Sequence, residues 1–264
     1  MKYFDIHAHV FPEAIAEKAV TYLEDYYHFH WEGNGLATDL LANMDLAGVQ
    51  RTVIFSSATK PEQVPAVNNY IAGLCRLQPD RFTGFGTLHR DFAGYREELC
   101  RMREMGLTGL KFHPDFQGFD IDDPEMMKIY EAAGPEMVML FHLGDPVSDR
   151  SAPERLAKVL DALPELRVIA AHFGGYCQWE RAKKCLVGRN VWLDTSSAIP
   201  FLGAPAAKEL VLAHGVEKVL WGSDYPAVQP RTAIAQLESL GLPEEDLEKI
   251  FYRNAEALLG VTVG

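Results

Sequence analysis

Short apolar runs recur along the chain, and each is followed by a stretch whose apolar positions repeat with helical spacing. The runs at 3–9, 52–56, 82–87, 109–112, 137–142, 167–172, 191–195 and 219–224 predict strands. The segments at 35–47, 61–78, 92–105, 124–133, 152–163, 178–187, 204–214 and 230–240 predict helices, and 244–259 predicts one or two closing helices. Gly48, Gly106, Gly215 and Gly241 stand just past helix ends, where a left-handed residue closes the last turn. The strands are apolar nearly throughout, as in Met137-Val138-Met139-Leu140-Phe141, and so read as buried on both faces. Eight strand-helix units of this kind predict an α/β fold, a (β/α)8 TIM barrel, as a single domain over residues 1–264. One segment departs from the rhythm. Residues 11–33 are too long for an ordinary strand-to-helix loop, hold a helical pattern at 13–26 and then the cluster Tyr27-His28-Phe29-His30-Trp31. Because it follows the first strand, it is expected over the C-terminal mouth of the barrel as a lid or substrate wall.

Composition narrows the class without changing the fold. The 264 residues are 48% hydrophobic and carry a formal net charge of −12, with no lysine or arginine run, which argues against a nucleic-acid partner. No stretch reaches 18 apolar residues and no secretory leader pattern opens the chain, so neither membrane nor export is expected. Cys75, Cys100, Cys177 and Cys185 have no ligand-like spacing and read as ordinary buried or helical thiols. The expectation is a cytoplasmic protein acting on a small molecule, with a homo-oligomer left open.

The polar residues that interrupt the pattern fall at strand ends. His7 and His9 sit two apart on the first predicted strand, so both rings leave one face with Cα atoms about 6.6 Å apart, close enough to share a metal ion. Alone, the pair fits a core strand with two hydrogen-bonded histidines equally well. Lys111 and His113 end the fourth strand with the same spacing, His142 ends the fifth, His172 the sixth and Asp224 the eighth. In a parallel barrel these ends meet at one rim, so all seven side chains are expected in one pocket, and their burial makes no sense without a shared role. Asp5 has the parity of His7 and His9 and is expected beneath them as support. His28, His30, His89 and His214 lie off this pattern.

In their order along the chain, several runs resemble the amidohydrolase superfamily, in the amidohydrolase-related branch that includes aminocarboxymuconate semialdehyde decarboxylase. They are Asp5-Ile6-His7-Ala8-His9, Gly109-Leu110-Lys111-Phe112-His113-Pro114, Phe141-His142, Ala171-His172-Phe173-Gly174-Gly175 and Gly222-Ser223-Asp224-Tyr225-Pro226. The resemblance implies one divalent metal, usually zinc, held by His7, His9, His142 and Asp224, with His172 beside the activated water. Asp224 is expected to orient that water and accept its proton, and His172 to act as general acid-base or to hold the developing oxyanion. Three imidazoles and a carboxylate suit catalytic zinc, which activates water at neutral pH. Lys111 and His113 are expected to serve a second metal or the substrate, and a carbamylated Lys111 would bring two ions.

The expected activity is hydrolysis of a small amide, lactone or ester, with metal-dependent non-oxidative decarboxylation of a small carboxylic acid as the alternative and a non-catalytic metal-binding scaffold as a third reading. Decarboxylases of this branch carry a carboxylate-binding arginine where this chain has Leu40; Arg150 and Arg231 are the candidates to replace it. Polymerase-and-histidinol-phosphatase phosphoesterases share the opening motif but not the later ligands, and related deoxyribonucleases carry glutamate in place of Lys111.

Overall fold

Each predicted strand appears in the computed structural model, which describes residues 1–264. The strands are β1 (Phe4–His9), β2 (Arg51–Phe55), β3 (Phe82–Gly86), β4 (Gly109–Phe112), β5 (Val138–Phe141), β6 (Val168–Ala170), β7 (Trp192–Asp194) and β8 (Val219–Leu220). They pair in chain order and every ladder is parallel. Helices follow each strand, including Ala37–Ala47, Val64–Leu77, Pro124–Ala133 and Ala204–His214. The result is a (β/α)8 barrel.

Two apolar clusters hold it together. One comprises 59 buried residues and includes Met102, Met126, Leu156 and Leu210 from helices against Leu110, Met139 and Val168 from strands. The other comprises 13 and joins Val53, Phe55, Phe85, Val138, Leu140 and Ile169. Phe85 pairs with Gly109, Gly109 with Val138 and Lys111 with Leu140, so these residues share the parity of Lys111 and fill the barrel's interior below the mouth. Burial on both strand faces explains the continuous apolar runs.

The eighth strand is shorter than its sequence promised. The predicted strand 219–224 leaves the ladder after Leu220, and Asp224 takes φ 67°, a left-handed conformation uncommon outside glycine. Closure against β1 is irregular: Ile6 N donates to Trp221 O at 3.1 Å, Asp224 N to His7 O at 2.8 Å and His9 N to Tyr225 O at 2.6 Å. The register of β1 also shifts between Asp5 and Ala8. That shift overturns the simple alternation expected of positions 5, 7 and 9, because Ile6 joins the interior cluster while Asp5 turns to the β8 segment. There Asp5 accepts from His7 N (3.0 Å), Ser223 N (2.9 Å) and Ser223 Oγ (2.6 Å).

The terminal stretch 244–259 is helical with a π-turn at Lys249–Arg253. Short helical turns at Pro114–Gln117 and Ile199–Leu202 were not predicted. No helix is long and apolar enough to cross a membrane. All four cysteines are unpaired; Cys75, Cys100 and Cys185 lie in helices as expected, but Cys177 is exposed in a turn outside the helices, which corrects the expectation for that thiol.

Asp5 therefore seams the barrel. Asp5→Ala leaves two buried backbone N–H groups and a hydroxyl without their acceptor, and is expected to lower unfolding free energy by roughly 3 kcal/mol, at one to three per orphaned group with partial relaxation. Urea denaturation checks this, and Ser223→Ala, which removes one of these donors and the acceptor of Tyr225 N, should cost about 2 kcal/mol.

Candidate metal centre

The strand ends bring the predicted residues to the C-terminal mouth, on two levels. His9, His113, His142, His172 and Asp224 line a cavity of about 520 Å³. His7 and Lys111 lie beneath it, fully buried. His7, His9 and Asp224 place ligand-type atoms within 4.8 Å of one another. His7 Nε2 is 3.3 Å from His9 Nε2 and 3.1 Å from Asp224 Oδ1, and His9 Nε2 is 3.7 Å from the same oxygen. Lys111 Nζ reaches His7 Nε2 at 3.1 Å.

His142, expected beside these three, also forms a second group with His113 and Asp115. Its ring stacks on His113 with centroids 3.9 Å apart. Its Nδ1 faces His172 Nε2 at 3.0 Å.

Hydrogen-bond partners fix which nitrogens are free. Asp194, at the end of β7, accepts from His7 Nδ1 through Oδ2 at 2.9 Å. Its Oδ1 accepts from the backbone N–H of His172 and of Ser196, both at 3.0 Å, and from the Ser196 hydroxyl. A carboxylate only accepts, so the His7 proton sits on Nδ1 and Nε2 is free to hold a proton or a metal. His172 Nδ1 faces Ser196 O at 2.9 Å, and His142 Nε2 faces Gly144 O at 2.9 Å. Carbonyls also only accept, so His172 Nε2 and His142 Nδ1 both keep lone pairs, and these point at each other across 3.0 Å.

Two facing lone pairs repel unless a cation lies between or beside them. Burial disfavours the proton as that cation: it pushes His142 well below and His172 below the usual imidazole range, reinforced for His142 by His113 and for His172 by His7. The donor set fits a divalent metal, with neutral imidazoles oriented from behind by carboxylate and carbonyl groups.

The electrostatics agree with that fit at His9 and Asp224. At His7 burial and Lys111 oppose a second proton, but Asp194 and Asp224 outweigh them and raise it above the ordinary imidazole value, so a metal there would displace a proton. Burial, Lys111 and His7 hold His9 well below its ordinary pKa, so it is a neutral imidazole. Burial alone would raise Asp224, but His7, His172 and His9 overcome it and keep this carboxylate ionised far below the usual range. Burial pushes Lys111 down to about 7 against the pull of Asp224 and Asp194. Asp224, His172 (φ 57°) and Ser197 (φ 47°) all take left-handed backbone at the site. Such conformations cost of order 1–3 kcal/mol each and persist where surrounding structure imposes them.

Above the polar floor the cavity is aromatic. Eight of its 19 lining residues come from the excursion: Phe11, Ala19, Tyr22, Leu23, Tyr26, Tyr27, Phe29 and Trp31. Phe116 and Tyr176 complete the wall, and no arginine or lysine lines it. Arg150 and Arg231, the sequence candidates for binding a carboxylate, are elsewhere: Arg150 is committed to Gly118 O and Asp120, and neither reaches the cavity. Leu40 is buried core. His28, His30, His89 and His214 stay outside the cavity lining, as expected.

Asp194, Ser196, Asp115 and Tyr27 were not singled out from sequence. For Asp194 the signal was present, since Trp192-Leu193-Asp194 puts an acid at the end of an apolar strand as in the other cases. Tyr27 lay within a cluster read only as a wall. Its phenol, raised well above the ordinary tyrosine range by burial and then by Asp145, Asp224 and Asp115, stays protonated.

Comparison with known proteins adds relatives to this geometry. Decarboxylase orsB of Emericella nidulans is 30% identical over 127 residues, 40% of this chain, and the chain spans only 38% of that relative's length. A dihydroxybenzoic acid decarboxylase from Polaromonas sp. JS666, solved with manganese and the inhibitor 2-nitroresorcinol, matches with a TM-score of 0.74 at 16% identity, over 98% of this chain and 97% of that one. A probable 2-pyrone-4,6-dicarboxylic acid hydrolase from Acinetobacter baumannii, with citric acid bound, matches at 0.71 and 19% identity, over 99% and 100%. At these identities the two structures speak for the fold. The family model described as amidohydrolase matches residues 4–261, and the chain belongs to that family.

Proposed function

We propose that this chain is a metal-dependent hydrolase of a small aromatic ester, lactone or amide, with one zinc ion held by His7, His9, His142 and Asp224. The observation that carries the reading is the Asp224 carboxylate: it is held ionised among imidazoles, 3.1 Å from His7 Nε2, on the floor of an aromatic cavity. An ionised carboxylate in that position is a base for water. When bound, a divalent ion supplies Lewis-acid activation of water or of a substrate oxygen at neutral pH.

The chain's own residues do the remainder. Asp224 accepts the proton released as water attacks. Asp224 then gives that proton to the leaving group, while His172, whose own proton sits on Nδ1 against Ser196 O and 4.0 Å from Asp224 Oδ2, holds the carboxylate in place. The aromatic wall holds a ring and excludes water, and the absence of arginine or lysine from the lining disfavours a substrate with an anionic tail remote from the metal. Zinc is preferred because imidazole nitrogen dominates the donor set. Residues 11–33 act as the wall and lid. The unpaired thiols accord with a reducing cytoplasm.

A second reading, non-oxidative decarboxylation of a small aromatic acid, is favoured by the same lining: the one carboxylate of such a substrate would sit at the metal, where no arginine is needed. The 30% identity with a decarboxylase supports it over the matched segment. Zinc- and manganese-loaded protein assayed side by side on aryl esters, lactones and amides and on hydroxybenzoates decides between the two. The hydrolytic reading expects product from the first set and no carbon dioxide from the second, and the reverse pattern overturns it. Chelation should abolish turnover, and a metal-to-protein ratio near one is expected after metal-replete purification.

Asp224→Asn should lower kcat by roughly 10²–10⁴-fold, the range for a lost acid-base group, with an unchanged circular dichroism spectrum. Full activity in that variant would remove Asp224 from the chemistry. Asp194→Asn leaves the ligands in place but loses the ionised acceptor that fixes the His7 proton on Nδ1. Metal affinity is expected to fall by about 10–100-fold, read by calorimetric titration of zinc.

A further inference from the structure

The excursion carries one hydroxyl into the histidine cluster. Tyr27, the last residue of the helix Glu13–Tyr27, places Oη 3.1 Å from His113 Nε2 and 3.4 Å from His142 Nε2. His142 Nε2 donates to Gly144 O, so Tyr27 Oη is a second acceptor for that N–H. Toward His113 Nε2 the hydroxyl donates or accepts according to that ring's tautomer, because His113 Nδ1 has no partner of its own to fix it. One hydroxyl therefore bridges the two stacked rings.

The surroundings leave this bridge little slack. Gly144 has φ +80°, and a Cβ there would lie 2.2 Å from Tyr176 O, so the loop bearing the carbonyl is pressed against Tyr176. Tyr176 in turn packs edge-on against Tyr27, with centroids 5.7 Å apart at 89°. The neighbouring Tyr26 is equally aromatic and lines the same cavity, yet its hydroxyl goes to Asp145 Oδ2 at 2.8 Å.

We propose that Tyr27 is a positioning residue whose hydroxyl latches the excursion onto His142 and His113, so that closing the pocket and presenting His142 Nδ1 to the metal are one event. The proposal rests on His142 being a metal ligand. Partners that orient a ligand imidazole commonly change metal affinity by 10–100-fold. By linkage, anything that seats the excursion tightens metal binding, and metal binding seats the excursion.

The test is zinc affinity, measured by competition with a chromophoric chelator on the full chain and its Tyr27→Phe, Tyr26→Phe and His142→Ala variants. Phenylalanine keeps the aromatic packing and removes only the hydroxyl. Tyr27→Phe is expected to bind zinc about tenfold more weakly. Tyr26→Phe should stay within about twofold of the parent protein, well under that tenfold effect. Parental affinity in Tyr27→Phe, or an equal loss in Tyr26→Phe, overturns the latch. His142→Ala separates the two layers: if it too retains parental affinity, the ligand assignment has failed, whereas a large loss there with none in Tyr27→Phe defeats the latch alone.

Discussion

Asp194 is the fixed point of this molecule's mouth. Its carboxylate is fully buried, and burial alone would raise its pKa, yet His7 and His172 hold it below the usual range. It accepts the His7 ring proton, the His172 backbone N–H and two donors of Ser196, which ties three strand ends together. A charge in such a place is costly unless every lone pair is used, and here it is used to orient ligands. Because the proton of His7 is held behind the ring, Nε2 is left to the front. Ser196 O does the same for His172 and Gly144 O for His142. The free electron pairs of the pocket follow from these three acceptors.

Barrel closure supplies the second constraint. A longer β8 would have carried the chain past the mouth along the ladder. Its early exit at Leu220 lets Asp224 turn back in left-handed conformation toward His7, and Asp5 fastens that turn from below. Gly222 serves the same turn: a Cβ there would meet His7 Cβ at 2.7 Å. The acid that would do the chemistry is thus placed by the same irregularity that completes the barrel.

The fold was legible because it rests on periodicity. Strands buried on both faces read as unbroken apolar runs, and the helix at 124–133 falls where its pattern put it. The polar strand ends were legible as well, since an ionisable residue closing an apolar run has few other reasons to be there. What escaped was set by geometry between segments. The register shift in β1 turned Asp5 away from the face of His7 and His9. The pairing of His142 with His172 and His113 depends on ring rotation, which no spacing encodes. Asp194 was missed because the predicted strand 191–195 ran one residue past it, whereas the actual strand ends on it. Tyr27 was missed because its hydroxyl differs from that of Tyr26 only in what stands opposite it across the pocket.

The central claim is that the inward-facing nitrogens and the Asp224 carboxylate exist to hold a metal. Anomalous diffraction at the zinc absorption edge, from crystals of zinc-loaded protein, tests it most directly. The account predicts a strong peak bonded to His7 Nε2, His9 Nε2, Asp224 and a nitrogen of His142. No peak there, with zinc bound elsewhere or His7 Nε2 turned to another protein group, would contradict it.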